Sequence, residues 1–260
     1  MTPPRHVVSR DNPLLQRVRK ITRTPGAYRK LDGVWLEGEH LCSALLARGL
    51  EPPQAIASAS AWALPHLRDL ARAARDVVVI PDALFVGLSG LDHPAVGLGY
   101  LLEAPRGLAM QPGLPSVVLD RVQDAGNVGS ILRSASALGF AQVLALEGSA
   151  ALWSPKVLRA GMGAHFGLRL IEGLDAAGLE GLDVPLLAAS SHAADALDDT
   201  PLAWPCAWVV GHEGQGIAPA LMARCAHTLR IPQPGGEESL NVAAAAAICL
   251  YESSRKRPTQ

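Results

Sequence analysis

Two polar side chains follow the apolar stretch that ends at Leu119. Asn127 carries an amide that can both donate and accept hydrogen bonds, and Arg133 carries a guanidinium further along the same segment. The residues around them are apolar or small, and an arginine is expensive to bury there without an anion or a carboxylate. The segment therefore predicts either an anion-binding site or a structural ion pair.

A second loop follows an apolar stretch and holds three closely spaced glycines: Gly211, Gly214 and Gly216. Such glycines allow left-handed backbone or close contact with a ligand. The spacing G-x-x-G-x-G differs from the dinucleotide pattern G-x-G-x-x-G, and no phosphate-loop Lys-Ser/Thr pair follows it. Taken alone, the loop fits a tight turn as well as a ligand site.

The third segment is a loop rich in Pro and Gly that runs into a long apolar helix. Ser239 is predicted to cap this helix, because its hydroxyl can accept from a free N–H of the first turn. Asn241 stands where helix propensity alone would not place it. The alanines at 243–247 let the helix backbone approach a neighbour closely. On these residues alone, a capped and buried terminal helix is the alternative.

The three segments need a scaffold that brings the ends of several strands together. From Ser116 onward apolar strands alternate with helices, which are predicted at 127–138, 155–160, 219–225 and 239–253. Continuous apolar strands between helices are typical of a mostly parallel sheet covered on both faces. Ligands bind such sheets at the carboxyl edge, which is where the first two loops leave their strands.

A smaller α/β alternation precedes this region, with helices predicted at 13–22 and 62–74. Residues 104–115 are rich in Pro and Gly and are predicted to form a linker. We therefore predict an N-terminal α/β domain at 1–103 and a second α/β domain at 116–260.

Charge is distributed unevenly along the 260 residues, although the net charge is only −1. Residues 1–30 contain a single acidic residue, Asp11, among many basic ones: Arg5, Arg10, Arg17, Arg19, Lys20, Arg23, Arg29 and Lys30. A basic start on a mildly acidic body favours a polyanionic partner that meets the N-terminal region. A solvated helix face is the alternative.

Other features argue against several classes of protein. No apolar run reaches the roughly 18 residues of a membrane span, and the N-terminus has no apolar core of a secretory signal. The cysteines are scattered without a C-x-x-C pair, which is typical of reduced core residues in a cytoplasmic protein: Cys42, Cys206, Cys225 and Cys249. The histidines form no H-x-x-x-H or H-E-x-x-H spacing, so we expect no metal site.

Taken together, the three segments closely resemble the signature motifs of the SpoU family of RNA 2′-O-ribose methyltransferases. They read DRVQDAGNVGSILRSA at 120–135, VVGHEGQGI at 209–217 and IPQPGGEESLNVAAAAA at 231–247, in the family's order and spacing. The segment 153–166 resembles the family's stretch between the first and second motifs. The region around 35–39 looks like the family's substrate-binding domain, which is related to small ribosomal RNA-binding proteins.

The resemblance implies an α/β fold whose C-terminal parallel-sheet domain is a trefoil-knot (SPOUT) methyltransferase domain, preceded by a smaller α/β substrate-binding domain. It implies S-adenosyl-L-methionine as the methyl donor, RNA as the substrate and a homodimer that packs through the knot region. In the family, backbone groups of the knot loops hold the donor. The matching positions here are Gly211, Ile231 and Leu240, and Gly214 and Gly216 are grouped with them. Backbone amides can read an adenine edge without desolvating a formal charge.

The same resemblance gives the central catalytic position to Arg133 and the other polar site positions to Asn127, Glu213, Ser239 and Asn241. At Glu213 it leaves open whether the carboxylate holds Arg133 or Asn127 in place or forms a salt bridge without contact to the substrate. A guanidinium has a pKa above about 12, so it is an awkward general base. We expect it to grip the adjoining phosphate and stabilise the developing alkoxide. The residues expected to meet the RNA are Arg10, Arg17, Arg19, Lys20 and Arg29.

Ribosomal RNA is the leading substrate prediction, because a separate N-terminal domain of this size resembles family members that act there. Transfer RNA is the alternative substrate. A non-catalytic RNA-binding or ribosome-assembly protein of the same fold is disfavoured, since all the polar site residues are present. A nicotinamide oxidoreductase is disfavoured by the missing dinucleotide fingerprint.

Overall fold

The computed structural model describes residues 3–90, 97–235 and 239–257. Contacts within the chain divide it into two compact units. The first unit is Met1–Arg106 together with Trp153–Phe166, and the second is Gly107–Leu152 together with Gly167–Gln260. The domains expected from the sequence differ from these units in the segment 153–166. The boundaries 1–103, 104–115 and 116–260 therefore remain a proposal.

The first unit contains a mixed sheet, whose strands are β1 Arg5–His6, β2 Val34–Glu37, β3 Gln54–Ser58, β4 Asp76–Ile80 and β5 Leu98–Leu102. Their order is β1-β4-β3-β5-β2. β1 and β3 both run parallel to β4, whereas β5 runs antiparallel to β3 and β2. The described helices of this unit are α1 Pro13–Arg23, α2 Ala27–Leu31, α3 Glu39–Leu46, α4 Ala59–Ala63, α5 Pro65–Arg72, α6 Asp82–Val86 and α8 Pro155–Gly161.

The basic helix predicted at 13–22 is confirmed as α1. Asn12 begins it, because its side chain accepts from the Leu14 N–H at 3.0 Å, and Pro13 presets the backbone of the first turn. One face is buried against the sheet and packs near Trp35, through Leu15, Val18 and Ile21. The opposite face leaves basic side chains in solvent.

The single helix predicted at 62–74 is wrong, because two helices, α4 and α5, divide at Leu64. Leu64 has φ −81° and ψ 121°, an extended conformation. A proline clashes with a helical residue before it, so Pro65 ends α4 and then begins α5.

The second unit contains a sheet of seven strands: β6 Ser116–Asp120, β7 Gln142–Leu146, β8 Arg169–Leu174, β9 Leu186–Ala189, β10 Asp195–Ala196, β11 Ala207–Gly211 and β12 His227–Arg230. Their order is β10-β12-β9-β11-β6-β7-β8, and every described pair is parallel. The prediction of an α/β fold with a parallel sheet is confirmed. The central strands β6, β7 and β11 are buried along their length because both faces of the sheet are covered there.

The described helices of this unit are α7 Ala125–Ala137, α9 Pro219–Met222 and α10 Val242–Arg255. α10 packs against α7 and lies on β11 and β9. After β6 the chain continues to β7 on one side, and after β11 it continues to β12 on the other. β6 and β11 are neighbours, so the strand order reverses between them. In open α/β sheets, ligands bind outside the carboxyl ends of strands at such a reversal.

Candidate active site

A cleft of about 640 Å³ lies outside the carboxyl ends of β9, β11 and β12. Pockets for small molecules and cofactors span roughly 300–1,000 Å³, so the cleft can hold a ligand of nucleoside size or larger. The loop after β9 also lines it. The site residues predicted from the sequence that line it are Gly211, Glu213, Gly214, Gly216, Ile231, Ser239, Leu240 and Asn241.

The glycine loop after β11 is a tight turn. A Cβ on Gly211 would lie 2.2 Å from the Gly216 carbonyl carbon and 2.3 Å from the Ile217 nitrogen, so only glycine fits there. His212 and Gly216 exchange backbone hydrogen bonds of 3.1 and 2.8 Å. The His212 Nδ1 also accepts from the Gly214 N–H at 2.9 Å. These contacts hold the loop against one wall of the cleft.

Three side chains join the three motif loops. The Asn127 Nδ2 donates to the Glu213 Oε1 at 3.1 Å, and the Asn241 Nδ2 donates to the Asn127 Oδ1 at 2.9 Å. Glu213 also accepts from the backbone N–H groups of Gln123 at 3.2 Å and Asp124 at 3.0 Å. The question left open by the sequence is thereby answered in part, since Glu213 holds Asn127. We call Glu213, Asn127 and Asn241 the amide relay.

The relay sets the charge state of Glu213. Burial by itself would raise the pKa of this carboxyl group. Hydrogen bonds from the Asn127 side chain and from the backbone N–H groups of Asp124 and Gln123 outweigh burial, so the pKa lies below its ordinary value of 4.5. Glu213 is therefore a carboxylate at neutral pH and accepts hydrogen bonds in that form.

The start of the closing helix differs from the prediction. Asn241 is the cap, because its Oδ1 accepts from the N–H groups of Ala243 at 2.9 Å and Ala244 at 3.3 Å. The prediction that Ser239 caps a helix at 239–253 is wrong. Ser239 precedes the helix by three residues, is exposed and lines the cleft. Its hydroxyl makes no hydrogen bond to another residue that the structure describes, so it can meet a ligand.

An ion pair that the sequence analysis did not single out fastens the glycine loop. Asp120 is buried at the end of β6, and Arg121 donates to both of its carboxylate oxygens at 2.9 and 3.1 Å. Arg121 also donates to the Gln215 Oε1 at 3.0 Å, and the Ala218 N–H donates to the Asp120 Oδ2 at 2.6 Å. The pair thus holds the C-terminal end of the loop. An Asp-Arg dipeptide directly after an apolar strand was the available signal.

Two features show that the surrounding structure stabilises the ion pair of Asp120 and Arg121. Arg121 has φ 59°, a left-handed conformation that costs free energy in a residue other than glycine. Burial alone would raise the pKa of Asp120, but hydrogen bonds from Arg121 and Ala218 hold it below its ordinary value of 3.8. The surrounding contacts therefore maintain both the strained backbone and the charged carboxylate.

Arg133 lies on an exposed position of α7. Within the described residues it makes no hydrogen bond or ion pair, so Glu213 is not its partner, and it is not among the residues that line the cleft. Of the two alternatives that the sequence leaves open at Arg133, the structural ion pair is therefore not found among the described residues. Its guanidinium is free for an external anion.

Two residues in the cleft have backbone groups without a hydrogen-bond partner in the described part of the chain. Ile231 and Leu240 both line the cleft, and neither forms a backbone hydrogen bond with another described residue. Their N–H and C=O groups can therefore pair with a ligand. This is the chemistry that the sequence resemblance implies at these two positions.

The basic residues expected to meet RNA lie in the first unit. Arg10, Lys20 and Arg29 are exposed, and Arg19 is half-buried. Arg17 differs from them, because its Nε donates to the Leu31 carbonyl at 2.9 Å and its Nη2 to the Asp32 carbonyl. Arg17 therefore links α1 to the end of α2, and its guanidinium is engaged by backbone carbonyl groups of the protein.

Two absences bear on the class of site. Within residues 3–90, 97–235 and 239–257, no group of three or more His, Cys, Asp or Glu side chains is arranged to hold a metal ion. Over the same residues, no helix combines the length and the apolar character that crossing a bilayer requires.

The comparison with protein families decides the assignment. A model of the SpoU rRNA Methylase family matches residues 115–251. The chain belongs to the SpoU family. An uncharacterized tRNA/rRNA methyltransferase of Synechocystis is 30% identical over 96% of this chain and 94% of its own length. The 23S rRNA (guanosine(2553)-2′-O)-methyltransferase of Bacillus subtilis is 35% identical over 68% of this chain and 77% of its own length.

Solved structures agree with this SpoU assignment. The crystal structure of an RNA 2′-O ribose methyltransferase matches with a TM-score of 0.78 and 28% identity, over 96% of this chain and 98% of that one. SpoU membership confirms the predicted enzyme class, an RNA 2′-O-methyltransferase, and S-adenosylmethionine as its methyl donor. It excludes the nicotinamide oxidoreductase.

Proposed function

We propose that this SpoU enzyme methylates a ribose 2′-hydroxyl of ribosomal RNA. The observation that carries the proposal is the amide relay, which joins the three SpoU motifs at the carboxyl edge of the parallel sheet. The relative from Bacillus subtilis, which is named for this reaction on 23S rRNA, supports ribosomal RNA over transfer RNA.

The cleft suits S-adenosylmethionine in its size and in the groups it presents. The free backbone groups of Ile231 and Leu240 can pair with the adenine edge, and the turn at Gly211 keeps the wall close to the ligand. When bound, the donor supplies a methyl group on a sulfonium whose positive charge is lost on transfer. Apolar side chains in the wall, including Val210 and Ile217, exclude water and favour that loss of charge.

Arg133 acts on the RNA in this proposal. Its guanidinium is exposed and has no partner among the described residues, so it can grip the phosphate beside the target ribose in a bidentate way. The same charge stabilises the alkoxide that develops on the 2′-oxygen. The proton passes to a phosphate oxygen or to water, because a guanidinium holds its own protons too tightly to act as a base.

The N-terminal basic residues supply affinity for the RNA backbone. We assign this role to Arg10, Arg19, Lys20 and Arg29, and we assign Arg17 to the structure of the first unit. Neutralising Arg10, Arg19 and Lys20 together should flatten the salt dependence of RNA binding, by roughly 0.7–0.9 in log–log slope for each phosphate that the variant no longer neutralises. Arg17→Ala is the matched control, which should lower the melting temperature. An unchanged slope in the triple variant would place the RNA contact elsewhere.

We also propose a homodimer and a knotted catalytic domain for this enzyme. The closing helix α10 exposes an apolar face formed by Ala244, Ile248 and Tyr251, and we propose that it packs against a second copy in a homodimer. We propose further that the second unit contains the trefoil knot that the family implies, and that the homodimer packs through it. A cytoplasmic location is proposed with them.

The substrate is tested by label transfer from methyl-labelled donor. Purified ribosomal RNA and transfer RNA, both from cells that lack this enzyme, should be offered separately. We expect label in the ribosomal RNA at one position and background label in the transfer RNA. Label in the transfer RNA alone would move the enzyme to that substrate, and label in neither pool would reject the proposal.

A further inference from the structure

One polar side chain in the cleft has no role in the relay or in the glycine loop. Gln233 follows β12 by three residues and lines the cleft. Its Oε1 is shielded from solvent and has no hydrogen-bond partner. Within the described residues its Nε2 makes no hydrogen bond either, so the whole amide is left without a protein partner there.

Four other side-chain amides of the second unit make hydrogen bonds within the protein. Asn127 and Asn241 bond to each other. Gln142 bonds to Ser116 at 2.8 Å, and the Gln215 Oε1 accepts from Arg121 at 3.0 Å. A buried amide oxygen without a donor costs free energy, and folded proteins hold few such groups. Gln233 differs from these four residues, because its buried amide oxygen has no hydrogen-bond donor. Packing does not explain this difference.

We propose that Gln233 is a recognition residue for the methyl donor, and that its Oε1 accepts a hydrogen bond from an N–H or O–H group of S-adenosylmethionine. The donor offers such groups on its adenine, its ribose and its ammonium. Gln233 stands two residues after Ile231, whose free backbone lies in the same cleft. The Gln233 side chain thus adds a hydrogen-bond acceptor to a wall of the cleft that otherwise binds the ligand through backbone groups.

Gln233→Met tests the inference, because methionine has a similar length and has no amide oxygen to accept a hydrogen bond from S-adenosylmethionine. Binding is measured by calorimetry with S-adenosylhomocysteine, the demethylated product. We expect an affinity about tenfold lower than that of the wild type. The KM for S-adenosylmethionine should rise by a similar factor while kcat stays within about twofold.

The stability of the ligand-free protein separates recognition from structure. Removing an unsatisfied buried oxygen should leave the melting temperature of Gln233→Met unchanged or higher. Gln215→Met is the matched control, because that amide accepts from Arg121, and its melting temperature should fall. A fall for Gln233→Met, or an affinity within about twofold of the wild type, would overturn the inference.

The inference rests on the proposed binding site for S-adenosylmethionine. Titration of the wild-type protein distinguishes a failure of that site from a failure of the role of Gln233. If the wild-type protein fails to bind S-adenosylhomocysteine, both the donor site and the role of Gln233 are rejected. If the wild type binds and Gln233→Met binds equally well, only the role of Gln233 is rejected.

Discussion

Asn241 serves two partners with one side chain. Its Oδ1 caps the first N–H groups of α10, and its Nδ2 donates to Asn127. An amide can accept and donate at once, whereas a carboxylate can only accept. This explains why a weak helix former stands at the start of the closing helix, and it links the position of α10 to that of α7.

Asn241→Asp should separate the two roles. A carboxylate caps a helix as well as an amide does, so the melting temperature should stay within about 2 °C of the wild type. Asn241→Ala loses the cap as well and should melt about 2–4 °C lower. Both variants should lose at least about tenfold in kcat/KM, because neither donates to Asn127. Full activity in Asn241→Asp would show that this link is dispensable.

Glu213 makes the stability of the relay depend on pH. Its pKa is lowered in the folded protein, so its contribution is fully present above the ordinary value of 4.5 and is lost as the pH falls through the lowered pKa. Melting curves of the wild type and Glu213→Gln between about pH 3 and pH 7 measure this. The wild type should be the more stable at neutral pH, and the difference should shrink below pH 4.5. A constant difference would contradict the assignment.

At this scale the sequence predicts the identities of the site residues but not their bonds. Asn127, Glu213 and Asn241 stand in motifs that can be read directly. Which amide bonds to which carboxylate depends on strands that meet only after folding. The helix cap was assigned to Ser239 instead of Asn241, because both residue types cap well and the local sequence does not reveal where the helix begins.

The glycine loop after β11 is the element that shapes the cleft. Its turn requires glycine at Gly211, and its far side is held by Asp120, Arg121 and Gln215. Arg121 reaches both the end of β6 and the loop from a left-handed backbone position. The loop is thus fixed to the neighbouring strand before any ligand binds, which reduces the ordering that binding would require.

Arg121→Asn should loosen this element without removing a group that touches the reacting atoms. Asparagine tolerates the left-handed backbone but is too short to bridge Asp120 and Gln215. We expect the KM for S-adenosylmethionine to rise about tenfold with kcat within about twofold of the wild type. Steady-state kinetics measure both constants. Arg224→Asn, which removes a bond to the Ala176 carbonyl, is the control. A fall in kcat alone would place Arg121 in the chemistry.

The elements themselves could mostly be predicted from apolar periodicity and helix signals. The helices predicted at 13–22 and 155–160 agree with α1 and α8 to within one residue at each end. The helix expected at 62–74 fails because Pro65 both ends one helix and begins another. The Asp120–Arg121 pair could not be assigned, because its partners on the loop lie far away in sequence.

At the scale of the whole molecule, the parallel sheet could be predicted from the apolar strands between helices. The strand order could not, because it depends on long-range pairing that no local pattern specifies. The segment 153–166 shows the same limit. Its position in the sequence lies within the second α/β region, but its contacts group it with the first unit.

Ile248→Glu tests the proposed homodimer. Ile248 is 40% exposed on the apolar face of α10, and a buried charge at an interface is costly. Sedimentation at micromolar concentration should give the mass of a dimer for the wild type and of a monomer for the variant. Leu108→Glu is the matched control, because Leu108 is also 40% exposed and lies in the same unit. A monomeric wild type, or a dimeric Ile248→Glu variant, would reject this interface.

The most direct measurement is the product of methyl transfer to ribosomal RNA by the wild type and by Arg133→Lys. The labelled RNA should be digested to nucleosides and also treated with alkali. We predict label in one 2′-O-methylated nucleoside, whose methyl group protects the adjoining phosphodiester bond from alkali, and a kcat lower by about 100-fold in Arg133→Lys. Label on a base, or near-normal turnover in Arg133→Lys, would contradict it.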